Sequence, residues 1–116
     1  MADVWRGQVR GDRGFVRPVA IKQMHAALGS QPAYVKMFLE EARVGAMLGS
    51  PHVAEVFDFV VHDGHYYVVM EWIDGIDLGT WIKWHVARRE PTRWELVAAI
   101  GIGILRGLAA AHERTD

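Results

Sequence analysis

The chain has 116 residues, of which 51% are apolar and 23% charged, a composition that supports a packed core and excludes a disordered chain. A formal net charge of −1 provides no broad basic field to gather nucleic acid or an anionic membrane, so no nucleic-acid partner is expected. The absence of cysteine rules out disulfides, thiol nucleophiles and thiolate metal sites, and suits a cytoplasmic chain.

The first residues, MADVWRGQVR, lack the apolar run of a signal peptide. Residues 2–10 are expected to form a strand, and GDRG at 11–14 is turn chemistry. A second strand is expected from about Phe15 to Gln23, with Pro18 favouring an edge position or a strand start because it cannot donate to a ladder. A helix follows, with Ser30 as its expected N-cap and Pro32 in its first turn. Its apolar residues Val35, Phe38, Leu39, Ala42, Ala46 and Leu48 recur at spacings of three and four or close to it, and Lys36 with Glu40 makes an i,i+4 pair. Gly49-Ser50-Pro51 stops it.

Two β-rich runs, HVAEVFDFVV and YYVVMEW, flank Asp63-Gly64, which is a hairpin signal. Beyond Asp74-Gly75 the pattern turns helical over 76–90. Thr92 and Glu95 then form a T-x-x-E capping box before a last helix that runs to about Arg114. Its longest apolar stretch, LVAAIGIGIL at 96–105, falls short of the roughly 20 residues that span a bilayer, so no membrane partner is expected for this segment. Gly103 and Gly107 are read as close packing of a buried helix. The chain is therefore α+β in its first half and all helical in its second, with the change near Gly75.

PVAIKQM, residues 18–24, holds the chemical question. In a strand Val19 and Ile21 point to one face while Ala20 and Lys22 point to the other. Two readings are open on these residues alone. One is a half-buried strand with a solvated lysine; in the other, Ala20 makes room for a flat group and Lys22 holds an anion.

Taken together, the element order and these strings resemble the first part of a protein kinase domain, nearest in style to the bacterial serine/threonine kinases of eukaryotic type. Val19, Ala20, Ile21 and Lys22 match the family's V-A-I-K strand, and Phe38-Leu39-Glu40-Glu41-Ala42 matches its F-x-x-E-A helix, which puts the lysine's partner at Glu41 rather than Glu40. VVMEWIDG, residues 68–75, resembles the fifth strand and the hinge between lobes. The resemblance implies Lys22 and Glu41 as catalytic-site residues, with Ala2, Val4, Ala20, Lys22, Met70, Glu71, Ile73 and Asp77 around the nucleotide. Met70 would be the gatekeeper, the main chain of Glu71 and Ile73 would read the adenine edge past a loosely constrained Trp72, and Asp77 would meet a ribose hydroxyl.

By the same resemblance, residues 1–75 are a partial small lobe ending in the hinge and 76–116 begin the helical large lobe. ATP is the implied cofactor, bound weakly if at all by this segment, with Mg²⁺ required only by a complete domain. Met1-Ala2-Asp3-Val4 looks like the tail of the glycine loop, with Ala2 in the place of its third glycine, and neither H-R-D nor D-F-G occurs in the 116 residues. The segment alone is thus expected to leave substrates unphosphorylated. The implied partners are ATP and a protein substrate for the full-length kinase, and the rest of the domain or a second copy for the apolar last helix, which is expected to make the isolated segment self-associate. The other function open to such a chain is a non-catalytic, kinase-like interaction module.

Overall fold

The computed structural model describes residues 2–114, and Met1, the first residue of the glycine-loop match, lies outside them. The chain divides into two compact units, Met1–Ile73 and Asp74–Asp116.

The first unit is built on strands β1 (Ala2–Arg10), β2 (Val16–Met24), β3 (Val56–His62) and β4 (His65–Glu71), which form one antiparallel sheet in the order β1-β2-β4-β3. Both tight connections use left-handed backbone. Arg13 (φ 55°) and Gly14 (φ 77°) turn β1 into β2, and Asp63 (φ 49°) and Gly64 (φ 75°) make the two-residue turn of the β3–β4 hairpin, whose handedness matches the strand twist. Pro18 lies on an inner strand, which corrects the edge alternative. It sits opposite Gln8, one residue before the first β2–β4 pair, Val19 with Glu71, so its missing N–H interrupts no β2–β4 bond.

Two helices follow β2, the short α1 (Ala26–Gly29) and the long α2 (Pro32–Met47). The sequence pattern had no place for α1, and it changes the role of Ser30. Ser30 ends α1, where its hydroxyl donates to the Ala27 carbonyl, and Gln31 rather than Ser30 precedes α2. Pro32 occupies the first helical position, where no N–H is needed. Glu40 turns to Arg43 (2.7 Å) rather than hydrogen-bonding the expected Lys36, because the i,i+3 guanidinium offers a directed donor. That contact holds the Glu40 carboxyl below its ordinary range.

The core lies between α2 and one face of the sheet. Met24, Phe38, Ala42 and Val68 are buried there, with Leu28, Val35, Val56, Phe59 and Tyr66 packed around them. Phe59 bridges Phe38 and Tyr66 at ring separations of 6.1 and 6.2 Å. Gly45 is required for this packing: a Cβ there would stand 2.6 Å from Val56 Cγ2 on the neighbouring strand.

In the second unit α3 (Leu78–Arg88) starts on Asp77 and ends on Arg89 in the left-handed conformation (φ 53°). Asp77 Oδ1 accepts the Thr80 N–H at 2.7 Å and Oδ2 accepts the Thr80 hydroxyl at 2.9 Å, satisfying a donor that the first turn leaves without a partner. Those backbone and side-chain bonds hold the Asp77 carboxyl below its usual range. α4 (Trp94–Arg114) begins later than the capping box implied. The Arg93 carbonyl accepts from Leu96 and Val97, and Glu95 leans towards Arg93 Nε (3.7 Å), so Thr92 stands outside the helix.

The 21 residues of α4 exceed the ten-residue apolar run, and its mean hydropathy of 1.6 makes it long and apolar enough to cross a membrane by length and composition alone. Among the described residues of α4 only Gly107 is buried, and Trp94, Leu105, Val97 and Leu108 are all more than half exposed.

Two outcomes test this description. Gly45→Ala should lower stability, since overpacking of about 1–3 kcal/mol outweighs a helix-propensity gain of about 1 kcal/mol. Combining it with Val56→Ala should recover part of the loss by vacating the contact, as a denaturant-unfolding cycle would reveal. For Asp77, a carboxyl whose folded value lies below its unfolded one, the contribution is complete above the unfolded value and disappears as pH falls through the folded value. Circular dichroism should therefore show Asp77→Ala with less helix at neutral pH and a smaller acid transition; an unchanged acid transition would contradict the cap.

Candidate functional site

Sheet register sorts the singled-out residues before any side-chain contact is considered. Directly opposed residues in antiparallel strands share a face. Arg6, Ala20 and Met70 form one row across β1, β2 and β4, and Val4, Lys22 and Val68 form the next, with Ala2 opposite Met24 beyond them. Ala2, Val4, Ala20, Lys22 and Met70 therefore lie on one face, the face covered by α2 at its Met24 and Val68 end. Ala20 is buried (7% exposed) and Val4 is open (61%).

Lys22 reaches from the second row to α2, where its Nζ donates to Glu41 Oε1 at 2.8 Å. The same ammonium stands 5.8 Å from the centre of the Phe38 ring. With the Glu41 side chain 65% exposed, the pair contributes about 0–1 kcal/mol to stability, and its consequence is positional. The two side chains line a cleft of about 620 Å³ between the sheet and the inner side of α2, together with Ala2, Met24, Gly45 and Leu48. The cleft presents one ammonium and the Glu40 and Glu41 carboxylates beside apolar walls, while Val4, Ala20 and Met70 lie outside its lining on the same sheet face.

Glu71 ends β4 and Ile73, 63% exposed, ends the first unit. Asp77 belongs to the second unit, where both carboxylate oxygens are engaged by Thr80. The sequence reading missed that capping role, which the D-x-x-T spacing of Asp77 and Thr80 could have signalled.

Two further contacts at the end of β4 had no sequence signal. Glu71 is tied twice to Glu55: its N–H donates to the Glu55 carbonyl at 2.8 Å, and its Oε2 accepts the Glu55 N–H at 3.0 Å. The Arg6 guanidinium lies over the Trp72 ring, 5.2 Å from its centre. Among the described residues no group of three or more His, Asp or Glu side chains is arranged to hold a metal ion.

The protein tyrosine and serine/threonine kinase family matches residues 1–114. The tyrosine-protein kinase MasK of Myxococcus xanthus is 34% identical over all 116 residues, which cover 18% of its length. The serine/threonine-protein kinase PknE of Mycobacterium tuberculosis is also 34% identical over 116 residues, covering 20% of its length. Among solved structures, the Mycobacterium tuberculosis PknI kinase domain superposes with a TM-score of 0.74 at 30% identity, over 99% of this chain and 45% of that domain. The chain spans about a fifth of the length of the curated relatives it matches. The four-stranded sheet, α2 and the two later helices are together the α+β arrangement of the first part of such a domain. The chain belongs to the protein kinase family and corresponds to the N-terminal part of its domain.

Proposed function

We propose that these residues form the nucleotide-holding part of an ATP-dependent serine/threonine protein kinase, with 1–75 as a partial small lobe ending in the hinge and 76–116 as the start of the large lobe. The observation that carries this reading is the Lys22 ammonium, held 2.8 Å from Glu41 on the sheet face that also bears Ala20 and Met70. A lysine at that point, free of Glu41, would sample many rotamers; the carboxylate restricts it to the cleft, where it can offset the charge of the α- and β-phosphates.

Ala20 is the small residue in the row of Met70, which suits a flat ring laid on that sheet face near Val4. The main chain of Glu71 and Ile73 supplies the donor and acceptor that read the adenine edge without depending on side-chain identity. For Asp77, beyond the hinge, the family resemblance implies a role at a ribose hydroxyl. ATP therefore fits the residues present in kind, and it supplies the transferable phosphoryl group when bound. Mg²⁺ and the catalytic base belong to motifs absent from the 116 residues, and the phosphorylation of a protein hydroxyl is assigned to a domain that includes them. The reading places this chemistry in the cytoplasm, where ATP is available.

A second reading, a non-catalytic kinase-like interaction module, is favoured by one observation: the exposed apolar surface of α4, which suits contact with another protein surface.

Titration of the chain with ADP and with adenosine, followed by amide NMR, tests the phosphate role of Lys22. Lys22→Met should weaken ADP about tenfold or more while changing adenosine by less than about twofold, because only the phosphates meet the ammonium. Equal effects on both ligands would contradict the phosphate role of Lys22.

A further inference from the structure

The first unit ends with Glu71, Trp72 and Ile73, and two of these residues are restrained by side chains that the sheet ladder does not require. Backbone pairing of Glu71 with Glu55 extends the β3–β4 hairpin through one ordinary bond, the Glu71 N–H to the Glu55 carbonyl. The second bond is different in kind. The Glu71 carboxylate folds back to accept the Glu55 N–H, so one residue fixes both polar groups of its neighbour and loses rotation about its own backbone.

Trp72 is restrained from the other side of the sheet. Arg6 lies on the edge strand β1, in the row of Ala20 and Met70, and β2 stands between β1 and β4. Its guanidinium nevertheless reaches past β2 to the Trp72 ring, close enough for a cation–π contact. The peptide planes on either side of Trp72 thus lie between two anchors, one from the chain leading into β3 and one from β1. Their carbonyl and N–H groups are those assigned above to the adenine edge.

We infer that Arg6 and Glu71 are positioning residues, forming a side-chain clamp that presets the main chain of residues 71–73 for the nucleotide base. The inference rests on the nucleotide reading of the cleft and names what fixes the base-reading strand end in advance. A preset acceptor and donor bind a rigid heterocycle without first losing backbone freedom. The clamp acts on the base alone, and the phosphate side of the ligand is left to Lys22.

The test uses the full chain with Arg6→Ala, Glu71→Ala and Glu71→Gln, the last retaining an acceptor oxygen for the Glu55 N–H. In the absence of ligand, amide order parameters at Trp72 and Ile73 should fall from about 0.85 to below about 0.6 in Arg6→Ala and Glu71→Ala, with Val68 unchanged and Glu71→Gln near the unsubstituted value. Adenosine affinity should fall about fivefold or more in the two alanine variants, while the ratio of ADP to adenosine affinity stays constant. That constant ratio separates the clamp from Lys22→Met, which changes the ratio. Unchanged order parameters, or unchanged adenosine affinity with altered order parameters, overturns the clamp. Absence of any adenosine-induced shift in the unsubstituted chain overturns the nucleotide reading and the clamp's base-positioning role together, and is recognised because it appears before any substitution is made.

Discussion

The contact between Lys22 and Glu41 joins an inner strand to the one long helix of the first unit, and its geometry depends on the apolar packing beneath it. Phe38 and Ala42 press α2 against Met24 and Val68, and this fixes the rotation of the helix. A slip of one residue would turn the helix by about 100° and exchange the roles of the two adjacent glutamates. With the core as it stands, both glutamates border the cleft, and Glu41 meets Lys22 while Glu40 is taken up by Arg43. The hydrophobic core therefore selects the glutamate, and the ion pair, itself worth little to stability, records the choice. Gly45, one turn along, lets the same helix approach Val56 closely enough for that core to close.

Much of this was legible in the sequence because it rests on period and turn chemistry. The alternation around Lys22, the three-and-four spacing before Leu48 and the Asp63-Gly64 pair predict β2, α2 and the hairpin directly, and the V-A-I-K and F-x-x-E-A strings point to the Lys22–Glu41 partnership. What escaped the sequence depends on geometry that no local pattern encodes. α1 is a single turn, too short for a period, and by ending at Gly29 it takes Ser30 away from the helix it was expected to cap. The T-x-x-E pattern at Thr92 lost to a start on Trp94, and Pro18 proved compatible with an inner strand because β4 begins its pairing one residue later. Arg6 and Trp72 are 66 positions apart by number, and only the sheet order brings them together.

α4 shows how composition can point in two directions. By hydropathy and length it satisfies the requirements of a membrane span, yet the kinase family match extends through it to residue 114 and the PknI kinase domain superposes over 99% of the chain. A helix that is apolar on most sides is what the interior of a helical lobe needs, and the glycines at 101, 103 and 107 suit close helix packing there. The same surface, when uncovered, is an attractive contact for another protein, which is why the interaction-module reading draws on this element and the nucleotide reading draws on the first unit.

The central claim is that Glu41 matters to nucleotide binding through Lys22. A double-mutant cycle on ADP affinity, using Lys22→Met, Glu41→Gln and the two combined, measures this directly. The account predicts that Glu41→Gln weakens ADP several-fold, by about 1 kcal/mol, when Lys22 is present and has no further effect once Lys22 is methionine. Additive losses in the double variant, with the fold retained, would contradict it.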